Sequence, residues 1–181
     1  MGKKIVFYSL ALCVLVLLVL VGCNKNLKST DKGKEKVANE NLRISAEEKR
    51  RLDLYLTAMR AAYKEENGGD GFIAVKLETI EGLSDQSKKL ILDGLKDLSP
   101  YVYDFEEVKG DPGKFQFDEQ GKRIRTIGGT LLYINLKEYK GDKAVITAVS
   151  WFGNLGAVFP EYEAIFINDH WKLNLLSMGI S

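Results

Sequence analysis

Apolar residues between Ser45 and about Glu66 return every three to four positions, the spacing of one face of an amphipathic helix. Ser45-Ala46-Glu47-Glu48 has the form of a capping box, in which Ser45 and Glu48 satisfy each other's free backbone amides. Asn67-Gly68-Gly69 then predicts the end of the helix, because these residues adopt positive φ at little cost. The stripe predicted to face the core comprises Leu52, Tyr55, Leu56, Met59, Ala62 and Tyr63.

The polar face of this helix leaves two interpretations. A helix that lies on a membrane surface has a basic polar face. Here Lys49, Arg50, Arg60 and Lys64 share that face with Asp53, which favours packing on a protein core.

A second helix is predicted from about Asp85 to Leu98, with Ser84 as its N-cap. Ser99-Pro100 ends it, because the residue before a proline avoids the α region. Between the helices, Phe72–Val75 is too short for its period to distinguish a strand from a helical turn. The residues predicted to share the buried side of the second helix are Leu90, Ile91, Leu95 and Leu98.

From Tyr101 onward, apolar and polar residues alternate, which is the period of β-strands. Pro160 predicts a break or bend in the third long strand, because proline has no amide hydrogen for the ladder. Asn168-Asp169 predicts a hairpin turn before the last strand. Long strands are predicted at Thr130–Lys137, Ala144–Phe152, Ala157–Ile167 and His170–Ser177, after short extended segments at Tyr101–Phe105 and Lys114–Phe117.

Helices followed by a run of antiparallel strands predict an α+β domain. We therefore expect N-terminal helices packed on a curved antiparallel β-meander. Long alternating strands packed against an N-terminal helix resemble the cone-shaped folds of the NTF2-like and cystatin-like superfamilies.

The first 22 residues have the pattern of a secretory signal. Lys3 and Lys4 form a positive start, and Ile5–Val21 is almost wholly apolar. An uncleaved anchor helix is the alternative, since about 17 residues is the short end of what spans a bilayer. Leu20-Val21-Gly22-Cys23 resembles the lipobox of bacterial lipoproteins. That resemblance implies cleavage before Cys23, a diacylglycerol and acyl lipid on its thiol, and a place on the extracytoplasmic face of the cell membrane.

Composition narrows the possible functions of the remaining chain. Residues 24–41 hold few apolar side chains and are predicted to be a flexible tether, which leaves 42–181 as one domain. The formal charge of +1 becomes −1 when Lys3 and Lys4 leave with the signal, so we expect no nucleic-acid partner. Cys13 and Cys23 are the two cysteines, so the domain has no thiol for a disulfide, a zinc site or a nucleophile.

Three segments of the domain resemble a family of small Gram-positive lipoproteins of unknown role; they are Phe72–Val75, Glu81–Ser84 and Ser150–Pro160. The resemblance covers about Leu42 to Ser181. Some members carry a label that ties them to peptide transport, which implies an accessory or solute-binding component of an ABC transporter. A solute-binding protein normally closes two lobes around its ligand, each about a full domain, and this chain has room for one.

The polar residues do not form a recognisable active site, so we predict a non-catalytic protein without a metal or cofactor. His170 is the single histidine and adjoins a predicted turn, which favours a solvent-facing side chain. Asp104, Glu106 and Glu107 are predicted to form a solvated edge. Gly68–Gly71 ends a helix and has no lysine-serine pair after it, unlike a phosphate-binding loop.

Aromatic residues on the meander are the candidate binding residues. They could fill the core, line an apolar pocket for a small ligand, or form an exposed patch for a protein partner. We hypothesise a recognition surface at the Trp151–Pro160 tip of the meander. The candidates are Tyr133, Trp151, Phe152, Phe159, Tyr162 and Trp171.

Overall fold

The computed structural model describes residues Ile44–Ser181. The predicted signal, Cys23 and the tether lie outside these residues. The helices are α1 (Ala46–Glu65), α2 (Asp85–Gly94) and α3 (Phe105–Val108), with a 3₁₀ turn at Leu77–Thr79. The strands are β1 (Ile73–Val75), β2 (Val102–Asp104), β3 (Phe115–Phe117), β4 (Arg123–Thr126), β5 (Thr130–Tyr139), β6 (Lys143–Gly153), β7 (Gly156–Ile167) and β8 (His170–Ile180).

Helix α1 begins and ends within a residue of its prediction, and its cap is half of a capping box. The Ser45 hydroxyl accepts from the Glu48 amide at 3.0 Å, as predicted. The Glu48 carboxylate turns mainly towards α2, where it accepts from the Ser84 amide at 2.8 Å and the Ser84 hydroxyl at 2.6 Å. Hydrogen bonds from the Ser84 and Ser87 side chains are the main reason that the pKa of Glu48 falls to about 2. This exposed carboxylate therefore links the N-termini of the two helices.

Helix α2 has the predicted N-cap, Ser84, but is one turn shorter than predicted. Gly94 lies against Leu56 of α1 so closely that a Cβ there would be 2.8 Å from the leucine methyl groups. Ile91 and Leu95 are fully buried, whereas Leu90 is 38% exposed. The prediction that Leu90 faces the core was wrong, because the contact with α1 is made through the neighbouring side of the helix.

Eight strands form one open sheet, and the fold class is mixed α+β. Strands β5, β6, β7 and β8 pair antiparallel in sequence order, as expected of a meander. The Phe72–Val75 run is a strand, β1, which pairs parallel with both β2 and β5. The sheet is therefore not purely antiparallel. The β1–β2 connection through α2 is the long crossover that parallel pairing requires.

Pro160 does not break β7, but ladder irregularities surround it. Pairing with β6 omits Phe159 and Pro160, and the register with β8 shifts between Glu161 and Tyr162. The shift leaves Leu176 unpaired in β8. Asn168 and Asp169 have φ of 51° and 61°, as a two-residue hairpin turn with positive φ at both positions requires.

Strand β4, helix α3 and the 3₁₀ turn were not predicted. Strand β4 pairs with β3 and meets the end of β6 at Gly153. Phe105, expected to end a strand, instead begins α3, whose first turn is capped by the Asp104 carboxylate on the Glu106 amide at 3.1 Å.

The sheet has a hydrophobic core on each face. Helices α1 and α2 cover the first face, which we call the helix face, and its core includes Tyr55, Met59, Ile91, Leu132, Ile146, Tyr162 and Trp171. The β3–β4 hairpin and α3 cover part of the second face, which we call the open face, around Phe72, Phe105, Phe115 and Leu131. Across residues 44–181, none of the helices combines the length and apolar content needed to cross a membrane.

Candidate functional site at the meander tip

Two of the six candidate aromatic residues are part of the core on the helix face. Tyr162 and Trp171 are each 5% exposed. The Trp171 indole donates to the Arg50 carbonyl of α1 at 2.8 Å, and its ring lies 5.2 Å from that of Phe166. These two residues hold α1 to the meander and are not available to a ligand.

Tyr133, Trp151 and Phe159 lie together on the open face of the sheet, where each is half-buried. Tyr133 pairs with Val149, and Trp151 pairs with Leu131 on the same two strands. Tyr133 and Trp151 also pack against the smaller core. Burial raises the pKa of the Tyr133 hydroxyl, so this group stays protonated as a hydrogen-bond donor.

Phe152 points to the helix face at the end of β6, where it closes the meander tip. Its ring lies so close to Gly156 that a Cβ there would be 2.6 Å away. A Cβ on Gly68, in the segment after α1, would lie 2.5 Å from the Phe152 Cβ. The six candidate residues therefore do not lie in one patch, because they divide between the two faces of the sheet and the tip.

A cavity of about 750 Å³ opens beside the β6–β7 turn. This volume is in the range of small-molecule sites. Leu155 in the turn is 94% exposed and Ile127 opposite is 49% exposed, so two apolar side chains stand at its rim. We call this region the tip; it is lined by Gly68, Ile124–Gly128 and Phe152–Gly156.

Buried hydroxyl groups hold the segments of the tip in place. Thr130 accepts from the Gly68 amide at 2.9 Å, and Ser150 donates to the Glu66 carbonyl at 2.7 Å. Thr126 donates to the Gly129 carbonyl. Because each of these hydroxyls is paired with backbone, the fold itself holds the segments of the tip together.

Glycines allow the backbones at the tip to touch. A Cβ on Gly68 would lie 2.3 Å from the Gly129 carbonyl oxygen. The Gly71 amide donates to the Gly128 carbonyl at 3.0 Å. The Gly68–Gly71 segment therefore packs on the loop before β5 after closing α1, as a structural element of the tip.

The titratable groups with possible chemistry are dispersed in the described region. His170 is exposed, as predicted, with Nδ1 2.8 Å from the Asn168 carbonyl oxygen. Glu106 forms an ion pair with Lys109 at 2.7 Å, and Asp104 caps α3. No group of three or more histidine or acidic side chains within residues 44–181 is arranged to hold a metal ion.

Leu155 and Ile127 were not among the predicted binding residues. The Gly153–Gly156 turn was predicted, and a leucine in a two-residue turn indicates an exposed apolar side chain, so there was a reason in the sequence to expect Leu155 at the surface. Ile127 gave no such signal, because its position depends on β4, which was not predicted. Comparison with protein-family models, with curated proteins and with solved structures found no match to this chain.

Proposed function

We propose that this chain is a lipid-anchored, extracytoplasmic lipoprotein whose domain binds a protein partner at the tip of its meander. The anchor is the diacylglycerol expected on Cys23, which durably attaches a protein through two chains. The domain is non-catalytic in this proposal. We further propose that its helix-on-meander arrangement belongs with the NTF2-like or cystatin-like cones.

The observation that carries the proposal is the exposure of Leu155 and Ile127 beside a preformed cavity. An apolar side chain in water gains free energy when a partner covers it, by about 25 cal/mol per Å². The turn between β6 and β7 has no need of leucine for its own geometry, since Leu155 has a conventional backbone and is 94% exposed. Protein interfaces concentrate their binding energy in such central apolar anchors.

The test is cross-linking in intact membranes of tagged chains, each of which carries a single substitution, Leu155→Asp or Ile127→Asp. We expect these variants to lose a dominant membrane protein that the wild type captures, because a charge would be buried at the contact. Ile167→Asp is the matched control, since Ile167 is 40% exposed at the opposite end of β7. It should retain the captured protein.

The same membranes also allow a test of whether Cys23 is acylated, and they show which class of protein is captured. Cys23→Ser removes the thiol that would be acylated, so the variant should no longer incorporate a labelled fatty acid. A captured transporter permease would favour the alternative function, an accessory component of a peptide-type ABC transporter. Equal capture by all three aspartate variants would contradict the tip as the binding surface.

A further inference from the structure

Beside the tip, the open face carries a small niche formed by Lys76, Arg123, Leu131, Tyr133 and Trp151. Its volume is about 120 Å³. That volume suits one polar group of a larger molecule and is too small for a whole drug-sized ligand.

The two cations of the niche have no carboxylate within 4.0 Å among residues 44–181. Lys76 Nζ lies 4.9 Å from the centre of the Tyr133 ring and 5.3 Å from that of Phe105. Aromatic faces attract a cation but do not neutralise its charge. Lys76 follows β1 directly and, like Ala74, belongs to the open face.

The Arg123 guanidinium has more donors than the fold satisfies. Its Nη2 donates to the Lys109 carbonyl at 3.0 Å, and its Nε is buried without an acceptor. Its Cζ lies 4.6 Å from the Phe105 ring centre and 4.9 Å from that of Phe115. Glu106 acts on it electrostatically but is ion-paired with Lys109. Partly buried cations without a counter-ion are costly, which indicates an anion in the functional state.

We propose that the niche binds a carboxylate carried on an apolar or aromatic body. Lys76 and Arg123 hold the carboxylate oxygens, and Tyr133 and Trp151 contact the carbon atoms beside it. The small volume of the niche favours the planar carboxylate over the bulkier phosphate. This inference rests on the proposed function, since it places an acidic ligand or an acidic side chain of the partner next to the tip.

The test uses the full chain in detergent micelles, with its two tryptophans labelled as 5-fluorotryptophan. Trp151→Phe assigns the two ¹⁹F resonances, and the core residue Trp171 serves as the internal reference. Phenylacetate is the probe, and phenylacetamide is its neutral isostere. We expect phenylacetate to shift the Trp151 resonance saturably and phenylacetamide to leave it in place.

Lys76→Met keeps the aliphatic stem and should weaken phenylacetate binding about tenfold or more, because a charge-assisted hydrogen bond is lost. Lys172→Met is the matched control: Lys172 is exposed on β8, outside the niche, and this change should have no effect. The wild-type comparison of the two probes stands even if a variant misfolds, which the Trp171 resonance would reveal.

Three results would overturn the inference: equal shifts with both probes, wild-type affinity in Lys76→Met, or tighter binding of phenyl phosphate than of phenylacetate. A negative result with phenylacetate does not change the result expected for Leu155→Asp, so the two proposals can be refuted independently. If the carboxylate belongs to the protein partner, excess phenylacetate lowers the cross-linking yield. If it belongs to a free small molecule, the yield stays the same.

Discussion

Replacing Trp171 with alanine is expected to lower the free energy of unfolding by about 3–5 kcal/mol, the usual range for a large core aromatic. The ring is 5% exposed and packs on Phe166 and on Tyr139, 6.3 Å away between ring centres. Its loss would also leave the Arg50 carbonyl of α1 without its indole donor. Urea unfolding of the full chain in detergent, followed by far-UV circular dichroism, measures the change.

Trp171→Phe separates packing from hydrogen bonding at this position. It keeps an aromatic ring and removes the indole donor, so we expect a smaller loss than for alanine, with about 0.5–1.5 kcal/mol from the lost hydrogen bond. A Trp171→Ala protein with unchanged stability and lost partner capture would contradict the assignment of this residue to the core.

Gly68→Ala is expected to destabilise the protein by about 1–3 kcal/mol, the range for overpacking a tight contact. The added methyl group would lie 2.3 Å from the Gly129 carbonyl oxygen and 2.5 Å from the Phe152 Cβ. The backbones of the tip must then separate, since the first of these neighbours is itself backbone. Partner capture should fall along with stability, because the same movement opens the cavity.

Gly110→Ala is the matched control for this substitution. A Cβ on Gly110 would meet no atom within 4 Å, and its φ is not in the left-handed region. We expect a change within about 0.5 kcal/mol, as for an ordinary surface site. Equal losses in the two variants by thermal unfolding would show that close packing is not what Gly68 provides.

The helices, the hairpin turn and the long strands were predicted from patterns of residues that are close in the chain. Ser45 and Ser84 cap the helices that they were expected to cap. Asn168-Asp169 forms its turn, and the long strands extend only a few residues beyond their predicted ends. These features are predictable because caps, turns and alternation depend on residues close in the chain.

Features that depend on distant residues were not predicted. The parallel pairing of β1 depends on its neighbours β2 and β5, and its three residues carry no sign of direction. The Glu48 carboxylate turns mainly towards Ser84, 36 residues later, because this residue offers it two donors. Strand β4 owes its extended form to β3 and β6, since Arg123 and Arg125 give it little apolar content.

The sequence predicts in part how the aromatic residues divide between the two faces of the sheet. Phe159 and Tyr162 are three residues apart on β7, so a regular strand directs them to opposite faces. Which face the helices cover could not be predicted, because it depends on how the strands pair and where α1 packs. Lys76 and Arg123 come together only through that tertiary arrangement.

Photo-cross-linking from single positions tests the proposal that the tip is the binding surface. A benzoylphenylalanine would replace Leu155, just before β7, in one protein and Ile167, at the end of β7, in another; by strand geometry the two positions are roughly 40 Å apart. Irradiation of intact cells should yield one dominant adduct from position 155 and only background from position 167. A shared adduct pattern, or an adduct from position 167 alone, would contradict this proposal.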